Sequence, residues 1–202
     1  LGLPGETYES FIRGIGKLFE IGQHFVFEVY NCMLLPNAVM GQKEYIEKAD
    51  CINLFGGHLP TGNAFINELN LKSLIKDFDG VLIGGSGGAM NMADIVYCKP
   101  EAEGEFANKS FNRYLKGLGL TNINIIPHYY SIKDKTLDGG RIIEDIISPD
   151  TRETPMIVLP DGSYIIQEDK SQILYGEAYL FKDEKLTLIC KNNEKVNLKN
   201  IL

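Results

Sequence analysis

A glycine-rich turn around Ser86 constrains the fold of this chain more than any other segment. The turn, residues 84–88, follows the apolar run at residues 80–83 and precedes a helix signal that begins at Ala89. A G-x-S-x-G sequence between a strand and a helix makes a tight turn that exposes the serine hydroxyl, and its glycines accept positive φ. The pattern predicts an α/β fold with a nucleophile elbow at Ser86. The alternative is a glycine-rich strand-to-helix turn in which the serine has no chemical role.

Strand and helix signals alternate along most of the chain. Short β-rich runs predict strands at residues 25–30, 51–55, 80–83, 123–126 and 156–159. Helical patterns predict helices at residues 8–19, 42–48, 63–78, 88–97 and 140–147, with a break near Asn70. This alternation is typical of a doubly wound, mainly parallel sheet with helices on both faces.

The pattern changes from Ser163 onward, where strand signals are separated by polar turns too short for helices. The predicted strands are residues 163–167, 173–175, 178–181 and 186–190, and they predict an antiparallel meander appended to the sheet.

No linker or internal repeat divides the sequence, so we expect one domain over residues 1–202. Because an α/β domain normally opens with a strand, we also expect one or two strands to precede Leu1.

Composition argues against several classes of function. The net charge of −7 is unsuited to binding nucleic acid or an anionic membrane. No apolar stretch reaches the roughly 18 residues of a membrane span, and no signal peptide is visible. The four cysteines are scattered and form no C-x-x-C motif. This pattern is typical of free thiols in a protein of the reducing cytoplasm. The sequence has no nucleotide-binding glycine motif and no metal-ligand spacing, so we expect neither a cofactor nor a metal.

Four loops with reactive or anion-binding groups follow predicted strands. They contain the Gly57 and His58 segment, Ser86, His128 and Asp161. Because ligands bind beyond the carboxyl ends of parallel strands, these loops are expected to meet at one edge of the sheet. The sequence therefore predicts a site in which groups distant along the chain become neighbours.

A serine hydroxyl needs a base to remove its proton, and histidine titrates near neutral pH. Of the three histidines, His24 precedes a strand predicted at the far edge of the sheet, and His58 lies in a glycine loop where it can contact substrate. His128 follows the predicted strand at residues 123–126 and is the predicted base. The alternative is a structural histidine that is hydrogen-bonded within a loop.

The imidazole in turn needs a carboxylate to hold its tautomer. Asp161, in a strand-end Leu-Pro-Asp-Gly sequence, is the predicted acid, with Glu177 and Asp134 as alternatives. Asp-Gly between two strands is also an ordinary hairpin turn. The N–H groups of Gly57 and Gly87 are predicted to form an oxyanion hole, although the first glycine loop could need glycine for its shape alone.

These residues make the chain resemble the peptidase E family of serine peptidases, which includes aspartyl dipeptidase and the cyanophycinases. The resemblance covers most of the chain and depends on motifs that occur in order, at residues 54–57 and 63–65, 83–89, 117–120 and 126–128, and 159–163. It implies a glutamine-amidotransferase-like, flavodoxin-like three-layer fold and a Ser-His-Glu/Asp triad. The implied triad falls on Ser86, His128 and Asp161, with oxyanion donors at Gly57 and Gly87.

Three departures from the family pattern bear on specificity. Gly87 follows the serine where most members have alanine, and the first glycine loop is longer than the expected G-G-x-T pattern. Members that cleave after an N-terminal aspartate are expected to carry an arginine shortly after the histidine. This chain offers only Lys133 and Lys135 before Arg141.

The predicted function is hydrolysis of small peptides by a dipeptidase-like serine peptidase, with Asp-X peptides among the substrates considered. His58, Asn63 and Arg141 are predicted to contact the peptide. We expect a monomer or homodimer without nucleic acid or membrane partners. One alternative is a different acyl hydrolase on the same fold, although amidotransferases need a cysteine at the turn. The other is a protein of this fold that binds without catalysis.

Overall fold

The computed structural model describes residue 46 and residues 49–201 of the chain. The helices predicted at residues 8–19 and 42–48 and the strand predicted at residues 25–30 lie outside this part, apart from Ile46, which is helical. His24 lies outside it as well.

The described residues form short strands joined by short helices and turns. The strands are β1 Cys51–Leu54, β2 Val81–Gly84, β3 Ile95–Tyr97, β4 Tyr114–Lys116, β5 Asn124–Pro127, β6 Thr136–Leu137, β7 Gly140–Arg141, β8 Met156–Leu159, β9 Tyr164–Glu168, β10 Ser171–Tyr175, β11 Ala178–Lys182, β12 Lys185–Cys190 and β13 Lys195–Asn197. The helices are α1 Leu59–Glu68, α2 Leu71–Leu74, α3 Gly87–Met90, α4 Tyr129–Ile132, a π-helix Ile142–Ile147, and 3₁₀-helices Ser148–Arg152 and Leu198–Asn200. None of these helices is long and apolar enough to cross a membrane.

Parallel strand pairs form the framework of the fold. Strand β1 pairs with β2, with Cys51 opposite Val81, and β5 pairs with β8, with Pro127 opposite Leu159. All residues of β8 are buried, as expected for a strand covered on both faces. Antiparallel β11 and β12 extend the second pair into a sheet in the order β12-β11-β8-β5. The chain thus has a mixed α/β fold with a mostly parallel core and additional antiparallel strands.

The antiparallel strands after Ser163 differ from the predicted single meander. All the predicted strands are present as β9 to β12, but β9 and β10 pair with β13 in a separate sheet, whereas β11 and β12 join β8. The chain changes sheets at Gly176, whose φ of 88° is a conformation that glycine adopts readily. The prediction of one meander was therefore wrong in its connections. The doubly wound arrangement stays a prediction, because no strand pairing joins β2 to β5 within the described residues.

Two predicted helices differ in the structure. The helix predicted at residues 88–97 ends at Met90, and Ile95–Tyr97 instead forms β3, antiparallel to β4. The β-branched and aromatic side chains of that segment favour a strand. The helix predicted at residues 140–147 is a π-helix over Ile142–Ile147, preceded by the short strand β7.

The helix predicted at residues 63–78 is divided at Asn70, as its sequence indicated. Asn70 has a left-handed backbone with φ of 51°, which separates α1 from α2. Helix α1 begins earlier than predicted, at Leu59, because Pro60 suits the first turn of a helix. This early start brings the helix directly after the first glycine loop.

Two hydrophobic clusters cover the opposite faces of β5 and β8. Side chains alternate between the two faces of a strand. Ile157 and Leu159 accordingly pack with residues of α1 and α3 on one face, whereas Met156 and Val158 pack with the isoleucines of the π-helix Ile142–Ile147 on the other. This packing fixes the carboxyl ends of β5 and β8, from which two of the predicted site loops start.

Candidate active site

Ser86 lies on the tight turn between β2 and α3, with φ of 51° and ψ of −122°. Such a backbone conformation costs a residue with a side chain about 1–3 kcal/mol, so the surrounding structure must enforce it. A Cβ on Gly88 would lie 2.0 Å from the Leu54 carbonyl oxygen, and a Cβ on Gly56 would lie 2.7 Å from the Ser86 Cβ. The turn therefore requires glycine at both positions for close approach of the backbone.

His128 reaches Ser86 from the end of β5. It has a left-handed backbone with φ of 77°, and its N–H donates to the Leu159 carbonyl oxygen at 3.1 Å. The ring Nε2 lies 2.8 Å from Ser86 Oγ. The structure thus brings together two predicted site residues that are 42 positions apart in the sequence.

Asp161 contacts the other nitrogen of the His128 ring. Strands β5 and β8 end in register at Pro127 and Leu159, so the loops that follow them start side by side. Asp161 Oδ1 lies 2.6 Å from His128 Nδ1. Because an ionised carboxylate can only accept, Nδ1 carries the proton and Nε2 is left to accept from the Ser86 hydroxyl.

The histidine and the aspartate lie at the protein surface. The exposed fraction of the side chain is 46% for His128 and 67% for Asp161, so a ligand can approach both groups. Asp134, one of the alternative acids, is 86% exposed and pairs with Lys133 at 3.8 Å. Among the described residues, the carboxylate hydrogen-bonded to the His128 ring is that of Asp161.

The two glycine loops predicted to bind an oxyanion lie against each other. They follow the paired strands β1 and β2, and a Cβ on Gly87 would lie 3.2 Å from the Gly57 carbonyl oxygen. Gly57 has φ of 139°, a conformation that residues with side chains avoid. Within residues 49–201, the N–H groups of Gly57 and Gly87 have no protein acceptor. The loop that carries Gly57 thus lies against the serine turn, through Gly56 beside Ser86 and Gly57 beside Gly87.

His58 lies at the start of α1, beside the first glycine loop. Its Nδ1 lies 2.8 Å from Thr61 Oγ1, and its Nε2 lies 2.8 Å from Glu105 Oε1. Desolvation opposes ionisation of Glu105, but hydrogen bonds from the Ala102 and Glu101 N–H groups and from His58 outweigh it and lower the pKa of this carboxyl. Both ring nitrogens of His58 are engaged within the protein, and its contact with substrate stays a prediction.

Asn63 lies in the interior, with 6% of its surface exposed. Its amide group donates to Asn91 Oδ1 at 2.7 Å and to the Lys116 carbonyl oxygen at 2.9 Å. Asn91 in turn donates to the Gly87 carbonyl oxygen at 2.8 Å. The structure gives Asn63 a supporting position behind the serine turn, and its contact with substrate stays a prediction. Sequence reasoning missed Asn91, whose signal is a polar residue within an otherwise apolar segment after the turn.

Arg141 is engaged by a neighbouring carboxylate. Its Nε and Nη2 donate to the two carboxylate oxygens of Asp145 at 2.9 Å each, and this hydrogen bonding lowers the pKa of Asp145 to about 2. Within the described part of the chain, Arg141 makes no hydrogen bond to Ser86, His128 or Asp161. The guanidinium has five N–H donors and Asp145 takes two of them, so the contact of Arg141 with substrate stays a prediction.

Glu177, the other alternative acid, is held by tyrosines instead of by His128. The Tyr130 hydroxyl donates to Glu177 Oε1 at 2.5 Å, and the Tyr179 hydroxyl donates to the same oxygen. These hydrogen bonds lower the pKa of Glu177 and raise that of Tyr179. Sequence reasoning missed both tyrosines. The contact of Tyr130 with Glu177 spans 47 positions and leaves no local pattern, and Tyr179, two positions after Glu177, has the sequence signature of an ordinary strand residue.

The described cysteines are free thiols. Cys98 and Cys190 are buried and Cys51 is half-buried. Burial raises the pKa of Cys98 to about 12, so its sulfur stays protonated at neutral pH. In the same part of the chain, no cluster of three or more His, Cys, Asp or Glu side chains is placed to hold a metal ion.

Comparison with known proteins gives two similarities. The sequence model of Peptidase family S51 matches residues 6–175, a range that includes Ser86, His128 and Asp161. A 48-residue segment, 24% of the chain, is 50% identical to the cobalamin-dependent radical SAM methyltransferase TokK of Streptomyces tokunonensis. That segment is 7% of the length of the methyltransferase, so the similarity says nothing about the chemistry of this chain.

The family match, in contrast, covers most of the chain. It agrees with the resemblance read from the glycine loops and the strand-end histidine and aspartate. The chain belongs to peptidase family S51, the peptidase E family of serine-type peptidases.

Proposed function

We propose that this peptidase hydrolyses small peptides, dipeptides included, through a triad of Ser86, His128 and Asp161. The observation that carries the proposal is the unbroken chain of hydrogen bonds through these residues. Ser86 Oγ lies 2.8 Å from His128 Nε2, and His128 Nδ1 lies 2.6 Å from Asp161 Oδ1. Both distances suit a base that activates a nucleophile and an acid that orients the base.

In this mechanism one proton moves between the serine, the histidine and the leaving group. Ser86 Oγ attacks the carbonyl carbon of the scissile bond while His128 Nε2 takes the hydroxyl proton. The C–N bond breaks as the imidazolium gives that proton to the departing amine, which leaves an acyl ester on Ser86. A water molecule deprotonated by His128 then attacks the ester, and the acid product leaves as the serine hydroxyl is restored. Asp161 stays ionised and stabilises the imidazolium.

The oxyanion of the tetrahedral intermediate would accept hydrogen bonds from the N–H groups of Gly57 and Gly87. Loss of one such donor typically costs about 2.7–4 kcal/mol in the transition state. Support for this role comes from the contact between the two loops and from the backbone of Ser86, whose φ of 51° and ψ of −122° suit a nucleophile elbow.

We further propose that the peptidase does not prefer Asp-X peptides. Recognition of an N-terminal aspartate needs a cation near the substrate side chain. Of the cations that follow His128, Lys133 and Arg141 pair with Asp134 and Asp145, and Lys135 lacks the planar fork by which arginine binds a carboxylate. Hydrolysis of Asp-Leu, Ala-Leu and Lys-Leu by the purified chain tests this, and a strong preference for Asp-Leu would contradict it.

The test of the triad is the Ser86→Ala variant, assayed on the same dipeptides and with a fluorophosphonate probe. We expect dipeptide hydrolysis to fall by about 10⁴-fold or more and labelling of the active serine to be lost. Ser110→Ala, a change at an exposed serine in the loop at residues 108–111, is the matched control and should retain both properties. Hydrolysis by Ser86→Ala at the parent rate would contradict the triad, and cleavage of esters without cleavage of peptides would favour a different acyl hydrolase.

A further inference from the structure

The histidine and aspartate of the candidate site need support beyond the sheet. Strands β5 and β8 are in register only to Pro127 and Leu159, and the pairing continues through one further hydrogen bond, from the His128 N–H to Leu159. Both side chains are substantially exposed, and Asp161 is 67% exposed. A left-handed histidine persists only where surrounding contacts determine its conformation. Other contacts must therefore fix the relative position of the two loops.

Glu177 is bonded to both of these loops. Its carboxylate accepts from the Tyr130 hydroxyl at 2.5 Å, and Tyr130 is two residues after His128. Its backbone carbonyl accepts from Ser163 Oγ at 2.7 Å, and Ser163 is two residues after Asp161. One residue, with its side chain and its main chain, thus links the segment that carries the histidine to the segment that carries the aspartate.

The same carboxylate is anchored to the sheet. Tyr179, on β11, donates its hydroxyl to the oxygen that Tyr130 uses, and it is paired with Val158 of β8. The Tyr129 ring packs against the rings of Tyr130 and Tyr179, with distances between ring centroids of 5.3 Å and 5.1 Å. The hydrogen bonds hold the pKa of Glu177 below its usual value, which keeps the carboxylate ionised and the bonds charge-assisted.

We propose that Glu177 is a positioning residue that, through Tyr130 and Ser163, fixes the His128 loop relative to the Asp161 loop. The inference rests on the proposed function, since it assigns Glu177 a role in keeping that triad aligned. Glu177 and Tyr179 lie beyond residues 6–175, which the family model matches. Glu177 does not touch the reacting atoms in this role, and it acts only through the two residues that it holds.

The Tyr130→Phe and Tyr179→Phe pair tests this role. Each variant removes one hydroxyl from the same carboxylate oxygen and keeps the ring, but only Tyr130 belongs to the histidine loop. For Tyr130→Phe we expect kcat on a dipeptide to fall about tenfold with KM within about twofold, because a misaligned triad weakens transition-state stabilisation and leaves ground-state binding intact. Tyr179→Phe loses the anchor to β11 but keeps the bond from Tyr130, so we expect a smaller fall in kcat, of about two- to threefold. A merely structural role would affect both variants alike.

Glu177→Gln, which keeps the side-chain volume, is the second arm of the test. Glu177→Gln removes the charge that strengthens the bond from Tyr130, so it should lower kcat without a comparable change in KM. The effects of Glu177→Gln and Tyr130→Phe should not add, because they act on one interaction. Equal kcat values for the parent, Tyr130→Phe and Glu177→Gln would overturn the inference and leave the triad standing. A parent protein that neither cleaves dipeptides nor reacts with the fluorophosphonate probe would instead overturn the proposed function.

Discussion

The serine side of the candidate site and its histidine side differ in what holds them in place. Around Ser86, backbone contacts leave no room for a side chain at Gly88, and the supporting Asn91 is only 2% exposed. Around His128 and Asp161 the side chains are open to solvent and are held by hydrogen bonds. The difference predicts that changes on the serine side act on stability, through close packing and buried hydrogen bonds, and that changes of charge or hydrogen bonding on the histidine side act on activity.

Among the changes that test this comparison, the largest effect is expected from an isosteric one on the histidine side. Asp161→Asn places an amide N–H opposite His128 Nδ1, which favours the tautomer that cannot accept the Ser86 proton. Replacement of a buried acid in such a triad by its amide lowers kcat by about 10⁴-fold. Because Asp161 is exposed, we expect a fall of about 10²- to 10⁴-fold.

Steady-state kinetics and thermal unfolding together check this change. Asp134→Asn is the matched control, because that exposed carboxylate pairs with Lys133, and it should leave kcat near the parent value. The midpoint of unfolding should be unchanged in both variants. A large loss of stability in Asp161→Asn would contradict the difference between the two sides, since the fold would then depend on the histidine side as well.

A methyl group added on the serine side should instead act on stability. Gly88→Ala puts a Cβ 2.0 Å from the Leu54 carbonyl oxygen, and overpacking of this kind costs about 1–3 kcal/mol or more. Gly85→Ala, where a Cβ meets nothing within 4 Å, is the matched control. Gly87→Ala, with its Cβ 3.2 Å from the Gly57 carbonyl oxygen, should fall between them. Urea unfolding that ranks the three variants differently would contradict this account.

A smaller effect is expected from lost polar contacts behind the serine turn. Asn91→Ala removes a buried amide that donates to the Gly87 carbonyl and accepts from Asn63. Groups left without a partner should lower the free energy of unfolding by about 1–3 kcal/mol. Asn122→Ala, at an exposed position, should change it by no more than about 0.5 kcal/mol. Equal unfolding free energies for the two variants would show that the interior hydrogen bonds do not support the turn.

The sequence predicted the strand-end residues well because local patterns mark them. The apolar run Met156–Leu159 predicted β8 with the bounds that it has, and the strands before Ser86 and His128 were predicted to within a residue or two. Ile95–Tyr97 was missed as a strand, because an apolar run of that length fits a buried helix as well as a strand.

The polar contacts that support the site could not be predicted from local patterns. Tyr130 and Glu177 are 47 positions apart, and Asn63 and Asn91 are 28 apart. Neither pair has a spacing that any helix or strand would impose. The interior partners of the Asn63 amide could not be predicted for the same reason, since no local pattern marks them.

The left-handed backbone of His128, with φ of 77°, has a consequence for engineering. Glycine adopts this conformation without strain, so His128→Gly removes the ring and relaxes the loop at once, leaving a ring-sized gap between Ser86 and Asp161. Free imidazole added to the buffer can occupy that gap, and hydrolysis by the variant should rise as imidazole is titrated; a flat response would contradict this. The strained backbone at His128 thereby offers a chemical switch, in which a small diffusible molecule restores hydrolysis by the variant.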